Sequence, residues 1–507
     1  MDRAFRPAVA AVAAAVLAGI GALSASTASA APPPSGCGTR VNNTTALLLE
    51  CVTVDGVREH QAALQAIADA NGGTRVSGSA GYDASVDYVT GRLRAAGWRV
   101  TTQPFQFQTF VSLTPSVLEQ RSPGPVGPLP HAIMSYSGSG DVTAAVSRPG
   151  GDARGCTATD WAGFTAGSIA LVSRGTPDGQ PPCTFAIKAR NARAAGAVGV
   201  VIYNNIAGPL NGTLGADFTE NIGVVGIEQS LGFQLASTPG LVLRLKTDTL
   251  RGIATTANVL AELPGKNTRN VVMAGAHLDS VNAGPGINDN GSGSAALLEV
   301  AENLGKVKPQ NTIRIAWWAA EESNLVGSTY YVNNLSATEL QRIALYLNFD
   351  MVGSPNHVFF VYDGDDSDGE LPGGPGPTGS AQIEKTFEAF YASRGIPFKG
   401  TDFSGRSDYG PFIANGVPSG GLFTGAEGIK TAAEAALWGG TAGSAYDPCY
   451  HQACDTYANV NLTALDVNSD AIADAVLRYG MSTTLINGTK SKGNFRPPAD
   501  PGAPATS

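Results

Sequence analysis

Five residues of the types that bind divalent metal ions occur in the second half of the chain, in short segments of similar character. They are His277 in AGAHLDS, Asp289 in GINDNGSG, Glu322 in WWAAEES, Asp350 in LNFDMVG and His451 in CYHQACD. Two imidazoles and three carboxylates form a donor set for two divalent ions, with one carboxylate left to bridge them. This set predicts a hydrolase that uses two zinc ions.

Three apolar runs end directly before these candidate ligands. VVMAGA precedes His277, IRIAWWAA precedes the adjacent Glu321 and Glu322, and IALYLNF precedes Asp350. Apolar runs of this length are typical of buried strands, and catalytic groups collect at the carboxyl ends of strands in an α/β sheet. The sequence therefore predicts that most of the candidate ligands meet at one edge of a sheet.

Some candidate ligands also have a purely structural interpretation. Asp289 lies in a loop that enters a helix, where aspartate commonly caps the helix N-terminus. Glu321 and Glu322 are alternatively two solvated carboxylates at a strand end, although carboxylates beside such an apolar run are costly unless paired or bound to metal. Adjacent strand residues point to opposite faces, so the two glutamates can serve one site only if the backbone turns there. The repeated pattern favours the metal site.

The histidines differ in their surroundings. His277 ends a strand of the buried type, and Asp279 is placed two positions later to accept a hydrogen bond from the other ring nitrogen. His451 lies between Cys449 and Cys454, so a small disulfide loop would hold it rigid. The remaining histidines are expected to be surface or packing residues: His60, His131 and His357.

Residues 1–30 have the features of an export signal. Arg3 and Arg6 precede an apolar run over residues 8–23, and Ala28-Ser29-Ala30 supplies a small-residue cleavage site. The run is short for a membrane span, so we expect a secreted chain without a membrane anchor. The net charge of −9 gives no reason to expect nucleic acid as a partner, and we expect a monomer.

The chain has six cysteines, and an even number in an exported chain indicates disulfides. Their spacing suggests three local pairs, Cys37–Cys51, Cys156–Cys183 and Cys449–Cys454, although sequence alone permits many connectivities. Ligation of zinc by Cys449 and Cys454 around His451 is the alternative for the last pair.

The order of elements predicts an α/β fold. Helical periodicity covers residues 57–70, 84–96 and 292–304, and WRVTTQPFQFQTF alternates like a strand. Beyond Val271, apolar strands alternate with helical segments through Tyr479, which favours a mainly parallel or mixed twisted sheet with helices on both faces.

A change in the sequence pattern indicates an inserted domain over residues 147–252. SIALVSRG and AVGVVIYNN flank the helix-like TFAIKARNARAAGA, and the segment contains no cluster of metal ligands. We expect a small β-rich α/β domain here, between two parts of a catalytic domain (31–146 and 253–485). Residues 486–507 are expected to form a flexible tail.

The motifs HLDS, GPGINDNGSG, AAEE, NFDMVG, GRSDYGPF and CYHQACD together resemble those of zinc-dependent exopeptidases. The secreted bacterial leucyl aminopeptidases and the vacuolar aminopeptidase Y are the types they resemble most. The resemblance spans most of residues 55–145 and 255–480, and the inserted segment is similar to a protease-associated domain.

The resemblance implies a role for each ligand. His277 and Asp350 would bind one zinc, Glu322 and His451 the other, and Asp289 would bridge two ions about 3.5–4 Å apart. It also implies a cis peptide bond after the bridging aspartate.

The resemblance further implies an aminopeptidase mechanism. Glu321 would be the general base for a water held between the metals, and Tyr450 would steady the oxyanion. Met351 and Phe423 match positions that line the pocket for the N-terminal side chain, so we expect large apolar residues to be removed from peptides or protein N-termini.

Two alternative functions and one possible calcium site remain to be weighed. A carboxypeptidase on the same scaffold would need a cation for the substrate's carboxylate, and Arg406 is the candidate. A catalytically inactive receptor should have lost ligands, whereas all are present. YDGDDSDGE (residues 362–370) partly matches a calcium loop, but Asp368 stands where the sharp-turn glycine is needed, so a solvated acidic turn is favoured over Ca²⁺.

Overall fold

The computed structural model describes residues 36–368 and 374–488. The predicted export signal and the predicted tail from residue 489 onward lie outside the described residues. Ile486 and Asn487, which we had placed in the tail, still belong to a helix. Within the described ranges, no helix is both long enough and apolar enough to cross a membrane.

Helices form close to where the periodicity predicts them, since the predicted spans 57–70, 84–96 and 292–304 fall on α2, α3 and α6. The α-helices are α1 (Thr45–Leu49), α2 (Val54–Ala70), α3 (Ala80–Ala95), α4 (Phe185–Ala194), α5 (Gln229–Ala236), α6 (Gly291–Leu304), α7 (Val326–Asn333), α8 (Ala337–Arg342), α9 (Ser380–Ser393), α10 (Tyr409–Ala414), α11 (Ala432–Trp438), α12 (Leu462–Met481) and α13 (Thr484–Asn487).

The strands pair into one long mixed sheet. They are β1 (Arg99–Ser122), β2 (Gly127–Pro128), β3 (Ala132–Ile133), β4 (Gly140–Ser147), β5 (Ile169–Ser173), β6 (Gly199–Tyr203), β7 (Gly223–Ile227), β8 (Val242–Leu263), β9 (Asn267–His277), β10 (Asn311–Trp318), β11 (Ile343–Phe349), β12 (Phe360–Tyr362), β13 (Lys399–Thr401) and β14 (Ser419–Phe423). Their order is β13-β12-β14-β11-β9-β10-β8-β4-β5-β6-β7-β3, with β1 against β8.

The larger part of the molecule is built around β9. This strand pairs in parallel with β10 on one side and β11 on the other, and β11 pairs in parallel with β14. One face packs against α2, α3, α6 and α12 and the other against α7 and α10. Because the sheet is apolar on both faces, helices must cover both. The predicted α/β fold with a mixed sheet is confirmed.

Helix α6 is almost wholly buried, which explains its continuous apolar and small residues. It packs against β9 and between α2 and α12. Its N-terminus is capped by Asn290, whose side chain accepts a hydrogen bond from the backbone N–H of Gly293. The cap fixes the start of α6 beside the carboxyl ends of the central strands.

A long two-stranded ribbon connects the larger part, which is built around β9, to the inserted part, which contains β5, β6, β7, α4 and α5. β1 and β8 pair antiparallel along most of their length, from Arg99↔Glu262 to Ser122↔Val242. At one end β8 pairs with β10, and at the other it pairs with β4. Beyond β4, the parallel strands β5, β6 and β7 are covered by helices α4 and α5 and have apolar clusters of their own.

The three predicted disulfides are confirmed. Cys37 bonds to Cys51, Cys156 to Cys183, and Cys449 to Cys454. The alternative in which the last two cysteines ligate zinc is therefore wrong, because both sulfurs are used in the disulfide. This bond closes a short loop that contains His451.

Candidate active site

Parallel pairing brings three of the candidate segments together. His277 is the last residue of β9, Asp350 directly follows β11, and Glu321 and Glu322 lie just beyond β10. Since β9 lies between the other two strands and runs parallel to both, their carboxyl ends are adjacent.

The backbone turns sharply after β10, as two adjacent functional glutamates require. Ala320 has a positive φ of 52°, and the N–H groups of Asn324 and Leu325 both donate to the carbonyl oxygen of Glu321 at 2.8 Å. The turn directs both glutamates to the same site, since the carboxylates of Glu321 and Glu322 each lie within 4.8 Å of a ring nitrogen of His277.

The five candidate ligands form two overlapping groups that share Asp289. In one group, His277 Nε2 lies 3.2 Å from Asp289 Oδ1 and 3.2 Å from Asp350 Oδ1. In the other, His451 Nε2 lies 3.2 Å from Asp289 Oδ2 and 3.1 Å from Glu322 Oε2. Asp289 thus presents one oxygen to each group.

These groups fit divalent zinc in both spacing and charge. Zinc bonds of about 2.0–2.2 Å place neighbouring donor atoms roughly 3.2–3.5 Å apart, close to the separations seen here. Glu322 Oε1 is buried without a hydrogen-bond partner. Buried carboxylates need compensating positive charge, and an unpaired oxygen in such a cluster is costly. The donor set therefore suits two ions.

The protonation tendencies show the same demand for positive charge. Burial acts to lower the pKa of His277, but the charge of Asp350 and other nearby carboxylates outweighs it and raises this pKa well above its usual value. His451 behaves alike, with Glu322 as the main opposing charge. Burial raises the pKa of Glu321, which neighbouring carboxylates raise further. The cluster attracts cations, whether protons or metal ions.

Asp289 is held by a carboxylate that sequence reasoning missed. Asp455 accepts hydrogen bonds from the backbone N–H of Asn288 at 2.8 Å and of Asp289 at 2.9 Å. The Asp289–Asn290 peptide bond is cis, as the resemblance implied. Asp455 is the last residue of CYHQACD, so its position in a metal-ligand motif was the available signal.

Asp350 and His277 are each oriented by a second contact. The hydroxyl of Ser407, a residue of GRSDYGPF that we had not singled out, donates to Asp350 Oδ2 at 2.6 Å. His277 Nδ1 lies 3.1 Å from the main-chain oxygen of Asp279 and 3.6 Å from its carboxylate. The carboxylate of Asp279 instead accepts the backbone N–H of Glu321 at 3.2 Å. Asp279 therefore links the histidine to the glutamate turn.

Tyr450 and His451 form one rigid unit. Their rings stack with centroids 3.9 Å apart, and His451 has a positive φ of 57° within the disulfide loop. The Tyr450 hydroxyl accepts a hydrogen bond from Arg406 at 3.2 Å, and Arg406 also donates to Glu427 at 2.7 Å. Burial raises the pKa of Tyr450 well above its usual value, so its hydroxyl stays protonated.

A cavity of about 820 Å³ opens over the cluster. Its wall includes the apolar side chains of Met351, Phe360 and Phe423, two of which we had predicted. The inserted part supplies another section of the wall, including Asn211 and Thr213. The following predicted site residues all line this cavity: His277, Asp279, Asp289, Glu321, Glu322, Asp350, Met351, Arg406, Phe423, Tyr450 and His451.

The acidic turn after β12 differs from the prediction in one respect. Asp363 is buried, and its two oxygens accept backbone N–H groups from Asp365, Ser367 and Asp368. Its carboxylate is therefore occupied by the turn itself rather than solvated. Asp365 is exposed, as expected. Within the described part of the turn, oxygens of Asp363, Asp365 and Glu384 lie within 4.8 Å of one another.

A twisted α/β sheet with histidines and carboxylates converging at its carboxyl edge is the architecture of a metal-dependent hydrolase. Comparison with known protein families identifies two stretches of the chain. Residues 258–476 match the model of peptidase family M28, and residues 139–235 match the PA domain. The chain belongs to peptidase family M28 and carries an inserted PA domain, which confirms the predicted class of enzyme.

Curated relatives agree along most of the chain. An aminopeptidase of Pseudomonas aeruginosa is 46% identical over 90% of this chain and 86% of its own length. A probable lipoprotein aminopeptidase, LpqL, of Mycobacterium tuberculosis is 43% identical over 86% and 87%. Leucine aminopeptidase 2 of Trichophyton rubrum is 48% identical over 65% of each chain.

Solved structures show the same fold. The aminopeptidase of Aneurinibacillus sp. strain AM-1 superposes with a TM-score of 0.67, at 28% identity, over 86% of this chain and 96% of its own. The zinc aminopeptidase BSAP of Bacillus subtilis gives a TM-score of 0.59 at 26% identity, over 84% and 95%.

The loop disulfide should matter more for metal binding than for stability. Replacing Cys449 and Cys454 by serine opens a loop of sequence separation 5, which should cost about 2 kcal/mol of unfolding free energy in the loop-entropy model. Zinc affinity should fall because His451 is released. The double serine variant of Cys37 and Cys51 is the control: it should lose about 3 kcal/mol of stability and keep its zinc affinity. Competition with a chelator measures the zinc affinity, and denaturant titration measures the free energy of unfolding. Equal zinc affinities in the two double-serine variants would contradict a role of the Cys449–Cys454 bond in metal binding.

Proposed function

We propose that the protein is a secreted aminopeptidase that uses two zinc ions to remove large apolar residues from peptide N-termini. The observation that carries the proposal is the pair of donor groups sharing Asp289, whose oxygens each lie 3.2 Å from a different imidazole. The family match and the aminopeptidase relatives support the same activity.

His277 and Asp350 would hold one zinc, and Glu322 and His451 the other. Bound zinc would supply Lewis acidity, which lowers the pKa of water and polarises a peptide carbonyl. Around it, Asp289 would join the two groups, while Asp279 keeps the His277 ring in a fixed orientation.

Glu321 would move protons during the reaction. The residue is 8% exposed and lies within 4.8 Å of His277 and Glu322, although neither donor pair includes it. It would take a proton from the attacking water and return it to the departing amine. Tyr450, held by Arg406 and stacked on His451, would donate a hydrogen bond to the carbonyl oxygen as negative charge develops there.

Substrate preference would follow from the apolar wall. Met351 is 2% exposed in total, and the rings of Phe360 and Phe423 are stacked 6.0 Å apart. These side chains suit a large apolar group, and the leucine aminopeptidase from Trichophyton rubrum is consistent with that preference. Carboxylates around the cluster would hold the free ammonium of the substrate.

The carboxypeptidase alternative is less well supported. Arg406, its candidate cation, already donates to Glu427 at 2.7 Å. A guanidinium paired with a carboxylate gives little net charge for binding a substrate carboxylate. An inactive receptor is disfavoured as well, because every ligand and the proposed base line the same cavity.

Export and domain boundaries remain part of the proposal. The sequence features of residues 1–30 and the lipoprotein relative from Mycobacterium tuberculosis support export. We propose residues 147–252 as the inserted domain, with the catalytic domain on both sides. The insert would restrict access, since part of the cavity wall belongs to it.

The metal content tests the shared carboxylate. The unsubstituted chain should bind two zinc ions in equilibrium dialysis followed by elemental analysis. Asp289→Asn should weaken the binding of both zinc ions, because one side chain belongs to both donor groups. Asp87→Asn, a change at an exposed position of α3, is the matched control and should retain both. At most one tightly bound zinc in the unsubstituted chain would contradict the proposal.

The adjacent glutamates should be separable by their effects. Glu321→Gln removes the base but no ligand, so zinc content should persist while kcat falls roughly 10²–10⁴-fold. Glu322→Gln should weaken zinc binding, and excess zinc should partly restore activity. Measuring zinc content and kcat on both variants decides between the roles. Zinc lost from Glu321→Gln and kept by Glu322→Gln would reverse them.

Substrate preference can be measured with p-nitroanilides. Leucine should exceed alanine in kcat/KM by at least about tenfold, because extra methylene groups fill the apolar pocket. Glutamate should be poorer still. N-acetyl-leucine p-nitroanilide is the control for the free ammonium and should not be cleaved. Faster cleavage of the glutamate substrate than of the leucine substrate would refute the pocket assignment.

The role of the insert is tested by narrowing its side of the cavity. Asn211 is exposed and lines the cavity, so Asn211→Trp should reduce kcat/KM for tetrapeptides more than for leucine p-nitroanilide. Gln234→Trp, on the exposed face of α5, is the control and should affect neither substrate. Equal losses on both substrates with Asn211→Trp would show that the insert does not select by length.

A further inference from the structure

The connection between α2 and α3 passes directly beneath the donor cluster. Within it, Arg75 is 0% exposed and Ser77 is 4% exposed, and Val76 and Ser77 line the cavity. We call residues 75–77 the Arg75–Ser77 segment. It lies about 200 residues before His277, the first of the proposed ligands, and outside the range 258–476 that matches the family model.

The Arg75 guanidinium binds both ends of the loop that separates His277 from Asp289. Nη1 donates to the carbonyl oxygen of Leu278, which directly follows His277. At the other end, Nε donates to the oxygen of Pro285 at 2.9 Å and Nη2 to that of Gly286 at 2.7 Å. One planar group therefore sets the distance between two backbone points, each close to a proposed ligand.

The Arg75–Ser77 segment makes two further hydrogen bonds, each between a backbone N–H and a serine hydroxyl. The Arg75 N–H donates to the hydroxyl of Ser280 at 2.8 Å, within the same loop. The hydroxyl of Ser77 accepts the N–H of Ala320 at 2.6 Å, directly before Glu321. The segment thus contacts the loop of His277 and Asp289 as well as the turn of Glu321 and Glu322.

The charge of Arg75 also suits its place. Burial lowers the pKa of Arg75 to about 10, while the charges of Asp279 and Asp455 oppose the shift, so the group stays protonated at neutral pH. A lysine could supply the same charge but not a rigid fork with donors directed to three carbonyls.

We propose that Arg75 is a positioning residue that fixes the spacing between His277 and Asp289, and that Ser77 does the same for the glutamate turn. The inference rests on the proposed zinc site. Arg75 touches no reacting atom; it acts through the loop backbone. Loss of contacts that orient metal ligands typically costs about 10–100-fold in metal affinity or activity.

The test compares Arg75→Lys and Ser77→Ala with Arg92→Lys. Arg92 is a partly buried arginine of α3 whose guanidinium pairs with Glu302 and Glu59, so its variant controls for a general loss of stability. Zinc affinity is measured by competition with a chromophoric chelator, starting from metal-free protein. Thermal unfolding of the metal-free forms gives the folded fraction, and kcat and KM are measured at saturating zinc.

Arg75→Lys should bind zinc about 10–100-fold more weakly at full folded fraction, and Ser77→Ala should shift affinity in the same direction by less. Arg92→Lys should bind zinc like the unsubstituted chain. If Arg75→Lys does not fold, Ser77→Ala decides. Unchanged zinc affinity in the folded variants overturns the inference whatever their activity. Tight zinc binding without peptide cleavage by the unsubstituted chain contradicts the proposed function alone, and absence of zinc binding contradicts both.

Discussion

Negative charge gathered at a buried edge of the sheet is the constraint on which the rest of the site depends. Asp289, Glu321, Asp350 and Asp455 lie close together at the carboxyl ends of β9, β10 and β11 and in the adjoining loops. Each would be costly to bury alone. The structure distributes the cost: backbone N–H groups point at Asp455, the Ser407 hydroxyl points at Asp350, and imidazoles face both oxygens of Asp289 and one oxygen of Glu322. The negative charge that remains uncompensated would be balanced by bound cations.

The ligands themselves could be predicted because they follow strands whose apolar character is plain in the sequence. β9, β10 and β11 are largely buried on both faces, so each appears as a mainly apolar run, with Arg314 in β10 and Asn348 in β11 as exceptions, followed by a polar residue. Parallel pairing then makes adjacency in space follow from similarity in sequence. The disulfides were predictable for a related reason, since each joins cysteines that are near neighbours along the chain.

The supporting residues could not be predicted in the same way. Asp455 contacts the backbone of Asp289 across 166 residues, and Arg75 contacts Leu278 across 203. Such contacts depend on how helices and loops pack. The CYHQACD motif places Asp455 near the candidate ligands but does not show which backbone groups it contacts. The atom that acts can also differ from the one expected: Asp279 lies nearest the histidine ring through its main-chain oxygen, because its carboxylate is used by the glutamate turn.

The β1–β8 ribbon has a mechanical consequence. Domains joined by flexible linkers can rotate freely, but here the two parts share a paired ribbon from Arg99 to Ser122, interrupted only by register shifts between Ser112 and Ser122. Any change in the width of the cavity must bend or twist that ribbon. We therefore expect the width of the cavity to be set mainly by the folded geometry of its rim, with any change in width concentrated at the register shifts of the ribbon.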